Sequence, residues 1–315
     1  MNISVIIPLL NESESLNELC DSISDVMYSY NFTFEVILID DGSTDESWGV
    51  IQKLSKKSAN IKGIKFQKNY GKSQALHAGF LSCQGDVVFT MDADLQDDPK
   101  EIPEMYDMII NDGFDLVSGW KKKRYDSVLF KNIPSKIFNF AARITSGIKL
   151  NDFNCGLKAF KKEVVKSINV YGEMHRYIPI LAKNEGYKKI SEKIVKHRAR
   201  KFGKTKFGPS RFLNGFLDLL TIWFISSFGK KPMHLFGSLG LIMLLTGFLF
   251  AGYLGYDKLF LNPDSRLITE RPEFYISLTT MIIGSQFFSM GFIAELILKN
   301  TNQKPNYIIQ TKTNL

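Results

Sequence analysis

The sequence predicts an α/β domain with a mostly parallel central sheet, followed by amphipathic interface helices and a C-terminal two-helix transmembrane hairpin. Three observations lead there. Apolar, β-branched runs alternate with helical stretches between Ser4 and Ser118, the pattern of strands joined by crossover helices. Two of those runs end in carboxylates, Asp40-Asp41 and Asp92-Ala93-Asp94, at the strand ends where open α/β sheets bind ligands. Finally, residues 235–256 and 274–298 form two apolar runs, each exceeding the ~20 residues needed to cross a bilayer.

Taken in order, residues 4–7 are the first strand, and Pro8 to Glu14 form a turn into a helix capped by Ser13. Residues 34–39 are the second strand. It ends in Asp40-Asp41-Gly42-Ser43-Thr44-Asp45, and a helix follows from Glu46. Residues 61–66 give a third strand, 72–83 a helix, 86–90 a fourth strand and 115–118 a fifth. Neither Gly-x-Gly-x-x-Gly nor a Walker loop is present, so anionic groups must be handled by a metal and basic side chains.

The acidic run Met91-Asp92-Ala93-Asp94-Leu95-Gln96-Asp97-Asp98-Pro99 is the focus. On an extended segment Asp92 and Asp94 would point the same way and repel each other unless a cation lay between them. Mg²⁺ or Mn²⁺ held by one or two carboxylates plus substrate phosphates suits that geometry. A solvated acidic turn, with Asp97 or Asp98 capping a helix that begins at Pro99, is the alternative.

The net charge of +8, with Lys and Arg crowded into residues 121–211, suits an anionic partner. Those clusters lack the interleaved aromatics of a single-strand platform, which sets nucleic acid aside. Cys20, Cys83 and Cys155 are odd in number and lack metal-ligand spacing, so reduced thiols are expected. No secretory leader precedes the first strand, so the N-terminal domain is expected to stay cytoplasmic.

Four motifs in this order, Pro8-x-x-Asn11-Glu12, Asp40-Asp41-Gly42-Ser43-x-Asp45, Asn69-x-Gly71-Lys72 and Asp92-Ala93-Asp94-Leu95-Gln96-Asp97, resemble family 2 glycosyltransferases of the GT-A nucleotide-diphospho-sugar transferase fold. More narrowly, the chain resembles polyprenyl-phosphate glycosyltransferases over nearly its whole length. That resemblance implies that Pro8, Leu10, Glu12 and Asp41 surround the nucleoside of a nucleotide-sugar. It also implies that Asp92, Ala93, Asp94 and Gln96 form the diphosphate site, with Asp92, Asp94 and Gln96 holding Mg²⁺ or Mn²⁺. Lys121 stands where relatives often carry Arg, and the bidentate fork is lost. Plain packing is the competing reading for Pro8, Leu10 and Ala93.

Residues 121–149 interleave Lys131, Lys136, Arg143 and Lys149 with apolar residues at helical spacing. This describes a helix lying on an anionic membrane surface, or one covering the sheet. Lys131 and Ser135, one turn apart, match positions that meet the acceptor phosphate in the resembled family. Sugar-polymerising relatives carry Glu-Asp where this chain has Glu173-Met174. The missing Asp is consistent with a phosphate acceptor, which is already ionised and needs no general base. His175 and Arg176, next along, either meet that phosphate or cap local structure. In the basic run from His197 to Gly208, the spacing Arg200-x-x-Gly203-x-Thr205-Lys206 matches the family loop that closes over the diphosphate, which implicates Arg200 and Lys206 in catalysis beside Asp92 and Asp94. A polybasic membrane tether is the alternative.

The expected organisation is a catalytic domain over residues 1–209, an interface helix over 210–232, two membrane helices within 233–300 and a cytoplasmic tail over 301–315. Lys230 and Lys231 before the first apolar run, and Lys299 and Lys304 after the second, place both outer ends in the cytoplasm of an inner membrane. Glycines along both runs are compatible with self-association. The expected activity is inverting transfer of a hexose, glucose from UDP-glucose, to undecaprenyl phosphate. Transfer to a lipid or glycan hydroxyl, or a non-catalytic scaffold, are the rivals.

Overall fold

The computed structural model describes residues 1–122, 139–172 except 141 and 145, 174–198, 224, 228, 231–300 and 309–314. It divides into two compact units, Met1–Ile222 with Pro305–Leu315, and Trp223–Lys304.

The first unit carries β1 (Ile3–Leu9), α1 (Leu16–Ser29), β2 (Phe34–Asp40), α2 (Ser47–Lys57), β3 (Ile61–Phe66), α3 (Lys72–Ser82), β4 (Val87–Thr90), α4 (Ile102–Ile110) and β5 (Leu116–Trp120). After these come β6 (Lys158–Lys161), α5 (Lys162–Ser167), α6 (Ile178–Asn184), β7 (Ile190–Ile194) and β8 (Ile309–Thr313). The sheet order is β7-β5-β6-β4-β1-β2-β3-β8. Strands β4, β1, β2 and β3 run parallel, as the alternating strands and helices require. All seven residues of β2 are buried, as expected of a strand covered on both faces. From β1, Ile3, Val5, Ile7 and Leu9 join Leu16, Leu19, Cys20, Ile23 and Met27 of α1 in one core.

Chain order reverses between β1 and β4: β2 lies on one side of β1, and β4, reached only after β3, lies on the other. The crevice at the carboxyl ends of such a pair is where doubly wound sheets take their ligands. The register Leu9↔Asp40 and Ile6↔Thr90 brings Pro8, Asp40-Asp41 and the acidic run to the same sheet edge.

Three details differ from the sequence expectations. Ser15, not Ser13, occupies the N-cap of α1, and the Ser13 N–H instead donates to Asp45. β6 enters antiparallel between β4 and β5, making the sheet mixed there. The C-terminal segment is not merely a tail, because β8 pairs antiparallel with β3 and covers that edge.

At the amino-terminal ends of β1 and β2, away from the acidic run, Glu35 is fully buried and accepts hydrogen bonds from the Ser4 hydroxyl (2.5 Å) and the Gln84 N–H (2.6 Å), with Lys62 Nζ at 2.8 Å. Burial alone would raise its carboxyl; Lys62, Ser4 and Gln84 outweigh that and hold it below the usual 4.5. A carboxylate depressed in the folded state adds stability that is full above its unfolded value and lost as pH falls through its folded value. Glu35→Gln should therefore cost about 3 kcal/mol at pH 7, the scale for breaking a buried ion pair. In melts of both proteins, the gap should narrow as pH drops below 4.5.

The second unit is a helical hairpin of α7 (Pro232–Tyr256) and α8 (Pro272–Asn300), 25 and 29 residues long. At 1.5 Å per residue each exceeds the roughly 30 Å hydrocarbon thickness. Their backbones meet at glycines: a Cβ on Gly240 would lie 2.6 Å from the Gly284 carbonyl oxygen, and one on Gly284 would lie 2.7 Å from Leu244 N. The Ser277 hydroxyl donates to the Gly247 carbonyl at 2.6 Å. Outward-facing Ile242, Phe248, Leu249, Phe292 and Ile293 are exposed, the inverse of a soluble core. Arg271 meets Asp257 at 2.6 Å across the hairpin's polar connection.

Candidate active site

The β1 and β2 exits are tied together by their own polar groups. Asn11, at φ 53°, receives the Thr44 N–H on its side chain (2.8 Å) and donates its own N–H to the Ser43 hydroxyl (2.9 Å). The Glu12 N–H donates to the Ser47 hydroxyl at 3.0 Å. Asp41 is buried and accepts from the N–H groups of Tyr70 (2.7 Å) and Gly71 (2.9 Å), which places the start of α3. Burial, with a smaller contribution from Asp40, raises its carboxyl despite those bonds. Asp41→Ala would leave two half-buried backbone donors without their acceptor, a loss of about 1 kcal/mol for each. Chemical denaturation should read that loss.

With α3 so placed, Lys72 reaches the acidic run, and its Nζ lies 2.5 Å from Asp92 Oδ1. That run is a turn rather than an extended segment. Leu95 sits at φ 60°, and Asp94 Oδ1 accepts the Gln96 N–H at 3.2 Å. Ala93 packs its side chain into the core. Asp98 accepts the Lys100 N–H at 3.2 Å and caps the short helix Pro99–Glu101, so the capping role foreseen for this run coexists with the charge cluster.

Charge in the turn is unequally compensated. Burial would raise the Asp92 carboxyl, but Lys72, then Lys121 and Lys158, hold it well below the usual range. Asp94 is instead pushed up to about 6 by burial and by the charges of Asp92 and Asp97. Lys121 lies behind the turn, 2.8 Å from buried Asp97. Gln96 is bound to the chain entering the basic loop: its carbonyl accepts the Arg198 N–H at 2.9 Å, and its side-chain amide donates to the Arg198 carbonyl at 3.4 Å. Arg198 also pairs with Asp98 at 2.7 Å.

A cavity of about 310 Å³ opens beside Asp92, lined by Pro8, Lys72, Asn154, Gly156, Lys158, His175 and Arg176 among others. The β4–β6 pairing puts Lys158 opposite Thr90, whose hydroxyl donates to the Gly156 carbonyl at 2.8 Å. Gly156 touches the acidic centre directly, since a Cβ built on it would lie 2.4 Å from Asp92 Oδ2. The His175 N–H donates to the Ser73 hydroxyl at 3.0 Å, and that hydroxyl lies 3.1 Å from Nδ1. Burial, with Lys72 and Arg176 nearby, holds the imidazole well below its usual value, so it is neutral at pH 7.

Of the residues singled out in the sequence, Pro8, Asp92, His175 and Arg176 share this cavity. Ala93, Asp94 and Gln96 form the adjoining turn, Lys121 backs it, and Leu10, Glu12 and Asp41 lie at the β1 and β2 exits. Lys131, Ser135, Arg200 and Lys206 fall outside the described residues, as do most of the two amphipathic stretches. Asn154-Cys155-Gly156-Leu157-Lys158 reads in the sequence as part of a turn and strand, with no site role for Asn154, Gly156 or Lys158.

The donor chemistry fits a hard divalent ion. Two carboxylates and a side-chain amide lie in one turn, and burial with the charges of Asp92 and Asp97 raises the Asp94 carboxyl, as crowding of hard oxygen donors does. Among the described residues no three His, Cys, Asp or Glu side chains converge, so remaining ligands would come from substrate and water.

Comparison with known proteins agrees with this geometry. Residues 4–168 match the profile of Glycosyl transferase family 2. Dodecaprenyl-phosphate galacturonate synthase of Rhizobium johnstonii is 35% identical over 98% of this chain and 92% of its own length. Undecaprenyl-phosphate 4-deoxy-4-formamido-L-arabinose transferase of Salmonella choleraesuis is 34% identical over 98% and 92%. The first unit's fold is that of glucosyl-3-phosphoglycerate synthase from Mycobacterium tuberculosis, crystallised with Mn²⁺, UDP and glucosyl-3-phosphoglycerate; its TM-score is 0.55 at 20% identity, covering 71% of this chain and 79% of that one. The GT-A fold read from the motifs is therefore present, and the chain belongs to glycosyl transferase family 2, in the group that contains these polyprenyl-phosphate sugar transferases.

Proposed function

We propose that this enzyme transfers a sugar from a nucleoside-diphosphate donor to a polyprenyl phosphate at the cytoplasmic face of the inner membrane. The observation that carries this is the cavity joining Asp92 to Lys72, Lys158 and Arg176 at the β1/β4 crevice. It sets a carboxylate turn for the donor beside a basic wall for a second anion. Similarity to polyprenyl-phosphate transferases across both units supports the same acceptor.

Asp94, with Asp92 and Gln96, would hold Mg²⁺ or Mn²⁺, and the ion supplies charge neutralisation for the departing nucleoside diphosphate. Pro8, Leu10, Glu12 and Asp41 border the nucleoside at the β1 and β2 exits, while Lys121 steadies Asp97 behind the turn. Arg200 and Lys206 would complete the diphosphate site, and Lys131 and Ser135 the acceptor site. Arg176 supplies charge to the acceptor phosphate, whereas neutral His175, fixed by Ser73, can only orient it. The acceptor oxygen is ionised at neutral pH, so it attacks the anomeric carbon in line and inverts it without a protein base.

Residues 1–209 act as the catalytic domain and 210–232 as the interface helix. The two membrane helices follow, and both termini are cytoplasmic, with lysines flanking the outer ends of α7 and α8. Phe140 and Ile144, exposed one helical turn apart while Ala142 and Ser146 are buried, support the membrane-surface role of the first basic stretch. The relatives named above move galacturonate and 4-deoxy-4-formamido-L-arabinose, and none of them singles out glucose. The donor test therefore spans charged and neutral sugars.

Purified full-length protein in detergent, with Mn²⁺, a panel of labelled UDP-sugars and undecaprenyl phosphate, should form an acid-labile lipid-linked sugar. Transfer to diacylglycerol alone, or no transfer from any donor, would contradict the proposal.

A further inference from the structure

Lys158 is a buried ammonium with an unusual set of neighbours. It is 3% exposed, lines the cavity, and donates to the Cys155 carbonyl. Among the described residues no carboxylate lies within ion-pairing distance of it. Lys72, the neighbouring cation, is already committed to Asp92 at 2.5 Å. A lysine ammonium carries three donors, and a charge taken out of water is costly unless paired. β-sheet pairing opposite Thr90 and the Gly156 turn hold the backbone at Lys158 in place, so its position is built rather than incidental.

The cavity supplies what this ammonium lacks. Its 310 Å³ is enough for one sugar ring or a phosphate group, and among the described residues its lining carries Lys72, Lys158 and Arg176 with the carboxylate of Asp92. A neutral ligand would leave the buried charge uncompensated, whereas an oxyanion would compensate it and accept its hydrogen bonds.

We propose that Lys158 is the floor of an oxyanion subsite, receiving either the carboxylate of a uronic acid on the donor or the phosphate of the lipid acceptor. This rests on the transfer reaction proposed above and adds to it the residue that selects a charged substrate.

The test uses the full chain in detergent as wild type, Lys158→Gln and Lys158→Arg, with UDP-galacturonate, UDP-galactose and farnesyl phosphate. Removing a hydrogen bond to a charged group corresponds to about a 10- to 100-fold change. If the subsite reads the sugar, Lys158→Gln raises KM for UDP-galacturonate by that factor and erases the preference over UDP-galactose, with KM for farnesyl phosphate unchanged. If it reads the acceptor, the rise falls on farnesyl phosphate and donor preference is kept. Lys158→Arg restores part of either effect. A folded Lys158→Gln with both KM values and donor preference unchanged overturns the proposal.

Thermal shifts on wild-type protein decide the matter if Lys158→Gln does not fold. Millimolar galacturonate or inorganic phosphate should stabilise it where galactose does not, and protection by neither overturns the subsite. These shifts are read without turnover, so they remain informative even if no transfer is observed.

Discussion

Asp94→Asn should lower the rate of sugar transfer by about a thousandfold, the upper range for removing one preorganised electrostatic group from an active site. The same substitution should leave the unfolding temperature unchanged or raise it. Both outcomes follow from one environment. Burial and the charges of Asp92 and Asp97 push the Asp94 carboxyl up to about 6. A carboxyl raised above its unfolded value costs the folded state stability once it ionises, so at pH 7 a neutral amide relieves strain that the carboxylate imposes. A residue kept at a cost to stability fits a ligand whose charge is needed only when donor and ion are bound. Mn²⁺ with UDP should therefore raise the melting temperature of the wild type and not of Asp94→Asn. A drop in melting temperature alongside the lost activity would mean that Asp94 serves the fold instead.

The second large effect is expected at a residue with no side chain. A methyl group on Gly156 would lie 2.4 Å from Asp92 Oδ2 and 2.6 Å from its carboxyl carbon, far inside contact distance. The Gly156 carbonyl is held by Thr90 at 2.8 Å and the strand beyond it is paired, so the Asp92 carboxylate is the part able to move. Moving it breaks the 2.5 Å pair with Lys72 and shifts the acidic turn. Displacing a reacting group by about 1 Å can cost 100-fold in rate, and Gly156→Ala should reach that loss. A double-mutant cycle isolates the cause: in an Asp92→Ala background the clash has no partner, so adding Gly156→Ala should change stability little. An equal stability loss in both backgrounds would place the clash elsewhere.

Local patterning made much of this legible. The apolar runs of β1, β2 and β4 are long, β-branched and followed by carboxylates, so both the strands and the edge where they deliver ligands could be read directly. Length and scarcity of charge, with Glu295 near the end of the second run, were enough for the two apolar helices. Cys20, Cys83 and Cys155 are buried and free, matching the reading from their spacing. The positions that escaped the sequence depend on contacts distant along the chain. β6, Lys-Ala-Phe-Lys, is legible as a strand after a turn, but its place between β4 and β5, which buries Lys158 at the cavity floor, is not. Lys72 and Asp92 are 20 residues apart and meet because Asp41 fixes the loop ahead of α3. The acidic run was read as extended because carboxylates two apart share a face of a strand. Leu95 at φ 60° makes it a turn, in which the backbone and not the two-residue period sets where Asp92 and Asp94 point.

Binding of Mn²⁺ to the full chain, followed by electron paramagnetic resonance as UDP is added, tests the acidic turn as the catalytic centre most directly. Wild-type protein should take up the ion when UDP is present, and Asp94→Ala, equally folded, should leave it free in solution. Equal uptake by the two proteins, or none by the wild type, would contradict the account.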